Sequence, residues 1–154
     1  MTELNKEKKE IPILEYTILA AVVIACLLFI YQIKTQDINL ARSVLNGLAS
    51  GRYGVEKYID WENLKGLDID VGANYSKFPT LVEKVGYKRA FIQNFAIGFK
   101  QVKGSFKSFT HWRVYSKDNR QIIVAADYAG HNKTLLFAIS GKGKKRVTAI
   151  QWKQ

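Results

Sequence analysis

Residues 79–102 read PTLVEKVGYKRAFIQNFAIGFKQV. Thr80 and Glu83 have the S/T-x-x-E spacing of a capping box, just after Pro79, so a helix should begin here. Ile92, Phe95, Phe99 and Val102 recur at i, i+3, i+7 and i+10, extending a stripe begun by Leu81 and Val85. Lys84, Lys88 and Lys100 lie off that stripe. The spacing predicts one long amphipathic helix over 80–102. Its aromatic stripe reads as core rather than as a cofactor box.

Downstream the period changes from helical to two. SFTHWRVYS, QIIVAADYA, TLLFAIS and VTAIQWK are rich in β-branched and aromatic residues. The intervening KDNR, GHNK and GKGKKR are turn-like. Strands are expected at about 106–117, 121–129, 134–140 and 147–153. Their short connections imply an antiparallel meander. Upstream, Ala41, Val44, Leu45 and Leu48 form an apolar stripe in a helix expected over 37–50. Asp37 would cap it, unless the preceding helix runs on. Gly51 would stop it. A second short helix is expected over 53–65, and LDIDVGANYSKF at 67–78 reads as a loop. A long helix beside a curved antiparallel sheet makes an α+β domain.

Farther back, residues 11–33 read IPILEYTILAAVVIACLLFIYQI. From Tyr16 to Ile33 there are 18 residues without a charge. At 1.5 Å per residue they rise about 27 Å, close to the hydrocarbon thickness of a bilayer. The run is apolar all round, unlike a core helix with one polar side. VIAC at 23–26 has the form of a lipoprotein cleavage box, but LLFIY follows Cys26 where such proteins turn polar. An uncleaved anchor is therefore expected at 11–33. It would carry a short tail at 1–10 and a soluble domain at 34–154, long enough for its own core. Glu15 sits near the start of the run. It is either interfacial or a contact with a polar group on a neighbouring membrane helix. Lysines lie on both sides of the span. A long domain translocates largely regardless of charge, so the tail is expected in the cytoplasm and the domain outside it, on the cell (inner) membrane.

The net charge is +11 and unevenly placed. Residues 56–83 hold six acids, whereas 84–154 hold fifteen Lys or Arg and two acids, Asp118 and Asp127. Such a half favours anionic lipid or an acidic partner. Nucleic-acid binding would want interleaved exposed aromatics and is disfavoured. The single cysteine, Cys26, lies in the span, so the domain has no disulfide and no thiol nucleophile.

NGLASGRYGVEKYIDW at 46–61 resembles the opening of nuclear transport factor two-like domains, where a first helix with a small-Gly ending leads into a second short helix. The long helix and terminal strands follow in the same order. The resemblance implies a cone, with a bent sheet wrapped round the long helix. Some members of that superfamily are acid–base enzymes, and others serve as assembly or transport modules. A short tail, one membrane helix and one such domain outside is similar to the layout of inner-membrane assembly subunits of bacterial type IV secretion and conjugation systems.

A cone enzyme needs a general base of raised pKa in an apolar cavity and an oxyanion donor. Asp127, Asp60, His111, Tyr53 and Tyr128 are the candidates. Asp127 alternates with Ile123 and Ala125 in its strand, on the smaller and hence outer face. No catalytic residue is therefore expected. His111 and His131 are 20 residues apart with no cysteine near, so no metal site or cofactor is expected. GKGKKR lacks the strand-to-helix setting of a P-loop. Lys142, Lys144, Lys145 and Arg146 should sit on a hairpin tip. They either guard the sheet or contact lipid headgroups or a partner subunit. The expected function is a non-catalytic, membrane-anchored structural or assembly subunit contacting other membrane proteins. The alternative is a tethered cone that binds or transforms a small apolar ligand. Homo-oligomerisation is left open.

Overall fold

The computed structural model describes residues 13–66, 68–141 and 143–153. The tail 1–10, the start of the apolar run, the side chain of Glu15 and Lys142 lie outside the described residues. One helix, α1, runs over Ile13–Ala49, so residues 37–49 are its C-terminal part and not a separate element. Its stretch Tyr16–Ile33 is long and apolar enough to cross a membrane. Asp37 is therefore inside a helix and caps nothing. Nothing in KTQDINL at 34–40 breaks the chain, since it includes neither Gly nor Pro.

Residues 36–154 form a compact unit. Ala41, Val44, Leu45 and Leu48 of α1 fall at i, i+3, i+4 and i+7, and all four are fully buried. Gly51 ends the helix with φ of +68°. Its amide donates to the Leu48 carbonyl at 3.1 Å, and the Arg52 amide donates to Gly47 at 2.9 Å. That pair of bonds is a Schellman cap, and a residue without Cβ adopts it at no steric cost.

A 3-10 helix of six residues, Tyr53–Tyr58, stands where a helix over 53–65 was expected. It is followed by β1 (Lys65–Gly66), β2 (Ile69–Asp70) and the short helix α2 (Val71–Tyr75). The segment read as a loop thus holds two strand residues and one turn of helix, capped by Asp70 accepting from the Ala73 amide. Next comes α3 (Leu81–Gln101). Both halves of its capping box are made: the Glu83 amide donates to Thr80 Oγ1 at 3.2 Å, and the Thr80 amide to Glu83 Oε2 at 3.1 Å. The strands β3 (Phe109–Lys117), β4 (Gln121–Tyr128), β5 (Lys133–Ser140) and β6 (Arg146–Trp152) close the chain.

The sheet has six strands in the order β2-β1-β6-β5-β4-β3. It is mixed, not wholly antiparallel, because β1 runs parallel to β6. Ile59 already bridges Val147, and Lys65 and Gly66 then pair with Ala149 and Ile150. This pairing occupies backbone groups of β6 that would otherwise lie unpaired beside the core. Two-residue strands carry no period, which is why this edge was not legible. Register shifts interrupt β3 at two places and the β5–β6 pair at one, and such bulges bend strands. The inner face contributes Val124, Ala126, Leu135, Phe137, Ile139, Val147 and Ile150 to the core cluster, all buried.

Candidate functional site

The long helix is held along one side only. Ile92 and Ala96 are its buried residues. Beside them Lys88 Nζ pairs with Glu56 Oε2 at 3.1 Å, and the Arg89 guanidinium lies 5.0 Å from the Tyr53 ring centroid. Trp61, buried under α3, meets Phe91 edge-on at 5.6 Å. Lys88 and Arg89 thus help dock the helix on the 53–61 segment.

The other side of α3 faces the sheet across a gap. Phe91, Phe95 and Phe99 are only half-buried, and they roof two apolar cavities. The first, about 360 Å³, is lined by Leu64, Ile69, Tyr87, Phe91, Phe95 and Ile150 among others. The second, about 280 Å³, reaches Leu45, Phe99, Val102, Leu135 and Trp152. Asn94, Phe95 and Ile150 line both. Leu81 and Val102, read as the ends of a core stripe, are 81% and 72% exposed. Helical spacing marks which residues share a face, but it cannot say how closely another layer approaches that face.

The polar groups in the cavities are few. Tyr87 donates its hydroxyl to the Val71 carbonyl at 3.5 Å, and burial raises its pKa above the ordinary value. Asn94 supplies an amide where the cavities meet. Neither cavity is lined by an acid, a base or a histidine, so the arrangement can hold an apolar molecule and offer a hydrogen bond only to a polar atom that reaches Asn94 or Tyr87.

None of the five acid–base candidates lines either cavity. Asp127 stands on the other face of β4, where Arg113 donates to both carboxylate oxygens, at 2.8 and 3.1 Å, and Thr134 Oγ1 donates at 2.9 Å. Those donors favour the charged form and hold the carboxyl below its usual range, the opposite of what a general base requires. His111 is exposed at a bulge of β3 with φ of +48°. Asp60 accepts from Asn63 Nδ2 at 3.1 Å. Tyr128 stacks between Phe109 at 5.0 Å and His131 at 4.3 Å. Tyr53 has its pKa raised first by burial and then by Glu56. No three His, Cys, Asp or Glu side chains gather among the described residues.

The basic turn between β5 and β6 divides. Lys144 and Arg146 are exposed, whereas Lys145 Nζ reaches Asp37 Oδ1 at 2.6 Å. Asp37 is 5% exposed and is the buried charged residue of the domain among the described residues. Residues 37 and 145 are too far apart in sequence for any spacing rule to join them. The cavity residues Tyr87 and Asn94 also escaped the sequence reading, because a polar residue between aromatic ones on a helix looks like its solvent side. Comparison with protein-family models, with curated proteins and with solved structures finds no match.

Proposed function

We propose that this chain is a non-catalytic, single-pass membrane protein that works by contact, as a structural or assembly subunit of a larger membrane complex. Residues 16–33 are the anchor, the short tail is cytoplasmic, and the domain stands outside. The uncovered apolar side of α3 meets neighbouring subunits. The domain is read as a cone of the nuclear transport factor two-like kind, and the layout as that of secretion-system assembly subunits.

The observation that carries the reading is the uncovered side of α3. Leu81 and Val102 are exposed at the two ends of the helix's apolar stripe, and the phenylalanine-roofed cavities open along it. Apolar surface of this kind, with no titratable group but a tyrosine, suits association and offers no acid–base pair. A second reading has one specific observation in its favour. A cavity of about 360 Å³ falls within the range of small-ligand sites, so a small apolar molecule could fill it.

The test is the native particle. The intact chain is solubilised from its own membrane in mild detergent, sized, and its companions identified, beside Phe95→Glu and Glu15→Leu variants. The expected result is a large particle of fixed composition that Phe95→Glu disrupts while the domain keeps its circular dichroism. Its loss in Glu15→Leu would add a helix contact within the membrane. A lone monomer or homodimer overturns the subunit reading. A stoichiometric apolar molecule in a solvent extract, absent from Phe95→Glu, would install the second reading instead.

A further inference from the structure

Basic residues are spread along the whole sheet, with Lys107, Lys133 and Lys153 at the end away from the β5–β6 turn. Charge alone therefore chooses no place on this domain. Two other observations do. The first is the pair formed by Asp37 and Lys145, 2.6 Å apart with the carboxylate almost wholly buried. It ties the β5–β6 turn to the first residues of the domain. Beside it lies a cleft of about 430 Å³, whose walls include Gln36, Asn39 and Ser43 of α1, Tyr58, and Lys144 of the turn. Gln36, Asn39 and Ser43 fall at i, i+3 and i+7, so one face of the helix brings three side-chain donors to the same wall.

The second observation is connectivity. Asp37 follows Ile33, the last residue of the apolar stretch, by four residues. Four residues reach at most about 14 Å even when fully extended. Whatever the domain's orientation, the cleft begins within that reach of the end of the span. The polar headgroup layer of a bilayer occupies the same zone.

We propose that the cleft between residues 36–43 and the β5–β6 turn binds the headgroup of an anionic phospholipid. Lys144 meets the phosphate. Lys145, which gives one of its three N–H groups to Asp37, directs the others into the cleft. Gln36, Asn39, Ser43 and Tyr58 donate to the remaining phosphate and headgroup oxygens. The Asp37 carboxylate, which would repel a phosphate if bare, is covered by the Lys145 ammonium. Together Asp37, Lys144 and Lys145 leave the walls with one net positive charge. An acidic protein segment would find the same charge, but the short tether to the span supplies lipid at high local concentration and favours the headgroup. The inference rests on the reading of residues 16–33 as an anchor.

The test uses the full chain in phosphatidylcholine vesicles with or without phosphatidylglycerol, following amide hydrogen exchange over residues 141–147. Phosphatidylglycerol should slow exchange in the turn several-fold. Lys144→Glu should abolish that slowing. Lys107→Glu, the same charge change at the far end of the sheet, should leave it intact. Equal exchange in both lipids overturns the headgroup site while leaving the anchor reading in place, and so does equal loss in the two variants. Protection by added polyglutamate but not by phosphatidylglycerol would assign the cleft to an acidic protein and also overturn it. A chain that fails to enter vesicles at all overturns the anchor reading, and this site with it.

Discussion

Two long helices serve the compact unit of residues 36–154, and they do opposite work. The C-terminal part of α1 buries Ala41, Val44, Leu45 and Leu48 completely, within two turns of helix. The 21-residue α3 buries only Ile92 and Ala96 and leaves its phenylalanines roofing a gap. By aromatic content α3 looks like the core helix, yet the core belongs to the plainer one. The small and aliphatic residues of α1 are fully buried in the core, whereas the phenylalanines of α3 are half-buried, and that helix is also held by contacts with Glu56 and Tyr53.

The sharpest way to break that contrast is to truncate one side chain from each helix. Leu48→Ala leaves a hole in a filled site and should cost about 2–5 kcal/mol in chemical denaturation. Phe95→Ala, beside an existing cavity, should cost clearly less, although it removes more atoms. Equal losses would mean that α3 packs as core after all.

Next in size is the approach of α1 to the 53–58 turn. A Cβ on Gly47 would lie 2.6 Å from Val55 Cβ, so Gly47→Val must push the turn away. Overpacking of this kind costs about 1–3 kcal/mol. Adding Val55→Gly, which removes that Cβ, should recover part of the loss, and a double-mutant cycle would read it as coupling. Independent, additive losses would show that the two segments are not pressed together.

Thr80→Ala is smaller. It removes one half of the capping box at the start of α3 and should lower stability by about 1 kcal/mol, read from the melting temperature. Because α3 is held from its middle, the fold should persist.

The smallest expected effect is a response to acid. Asp127 is held below the ordinary carboxylate range first by Arg113 and then by Thr134, Asp118 by the amides of Arg120 and Gln121, and Glu83 by Thr80. A carboxyl with a depressed folded pKa contributes stability that is present above its unfolded value, about 4, and is lost as pH falls through the folded value. Stability should therefore stay level with respect to these groups from pH 5 to 8 and fall below about pH 4. Asp127→Asn should flatten part of that fall. An unchanged slope would mean that the Arg113 pair does not persist in solution.

The amino-acid sequence by itself determined whatever is written in neighbouring residues. The charge-free run of 16–33, the Thr80–Glu83 box, the stop at Gly51 and the four long strands are each set by residues within a few positions of one another. The outward placement of Asp127 follows from the two-residue period of a strand. Only the tertiary structure decided the rest. That Asp37 is buried against Lys145, more than a hundred residues downstream, is written nowhere in its neighbours. The parallel pairing of β1 with β6 involves strands too short to carry a period. The cavities under α3 are lined by residues from distant parts of the chain, from Leu45 to Trp152, which no local pattern joins. Periodicity assigns a side chain to a face, but only packing determines whether that face is covered.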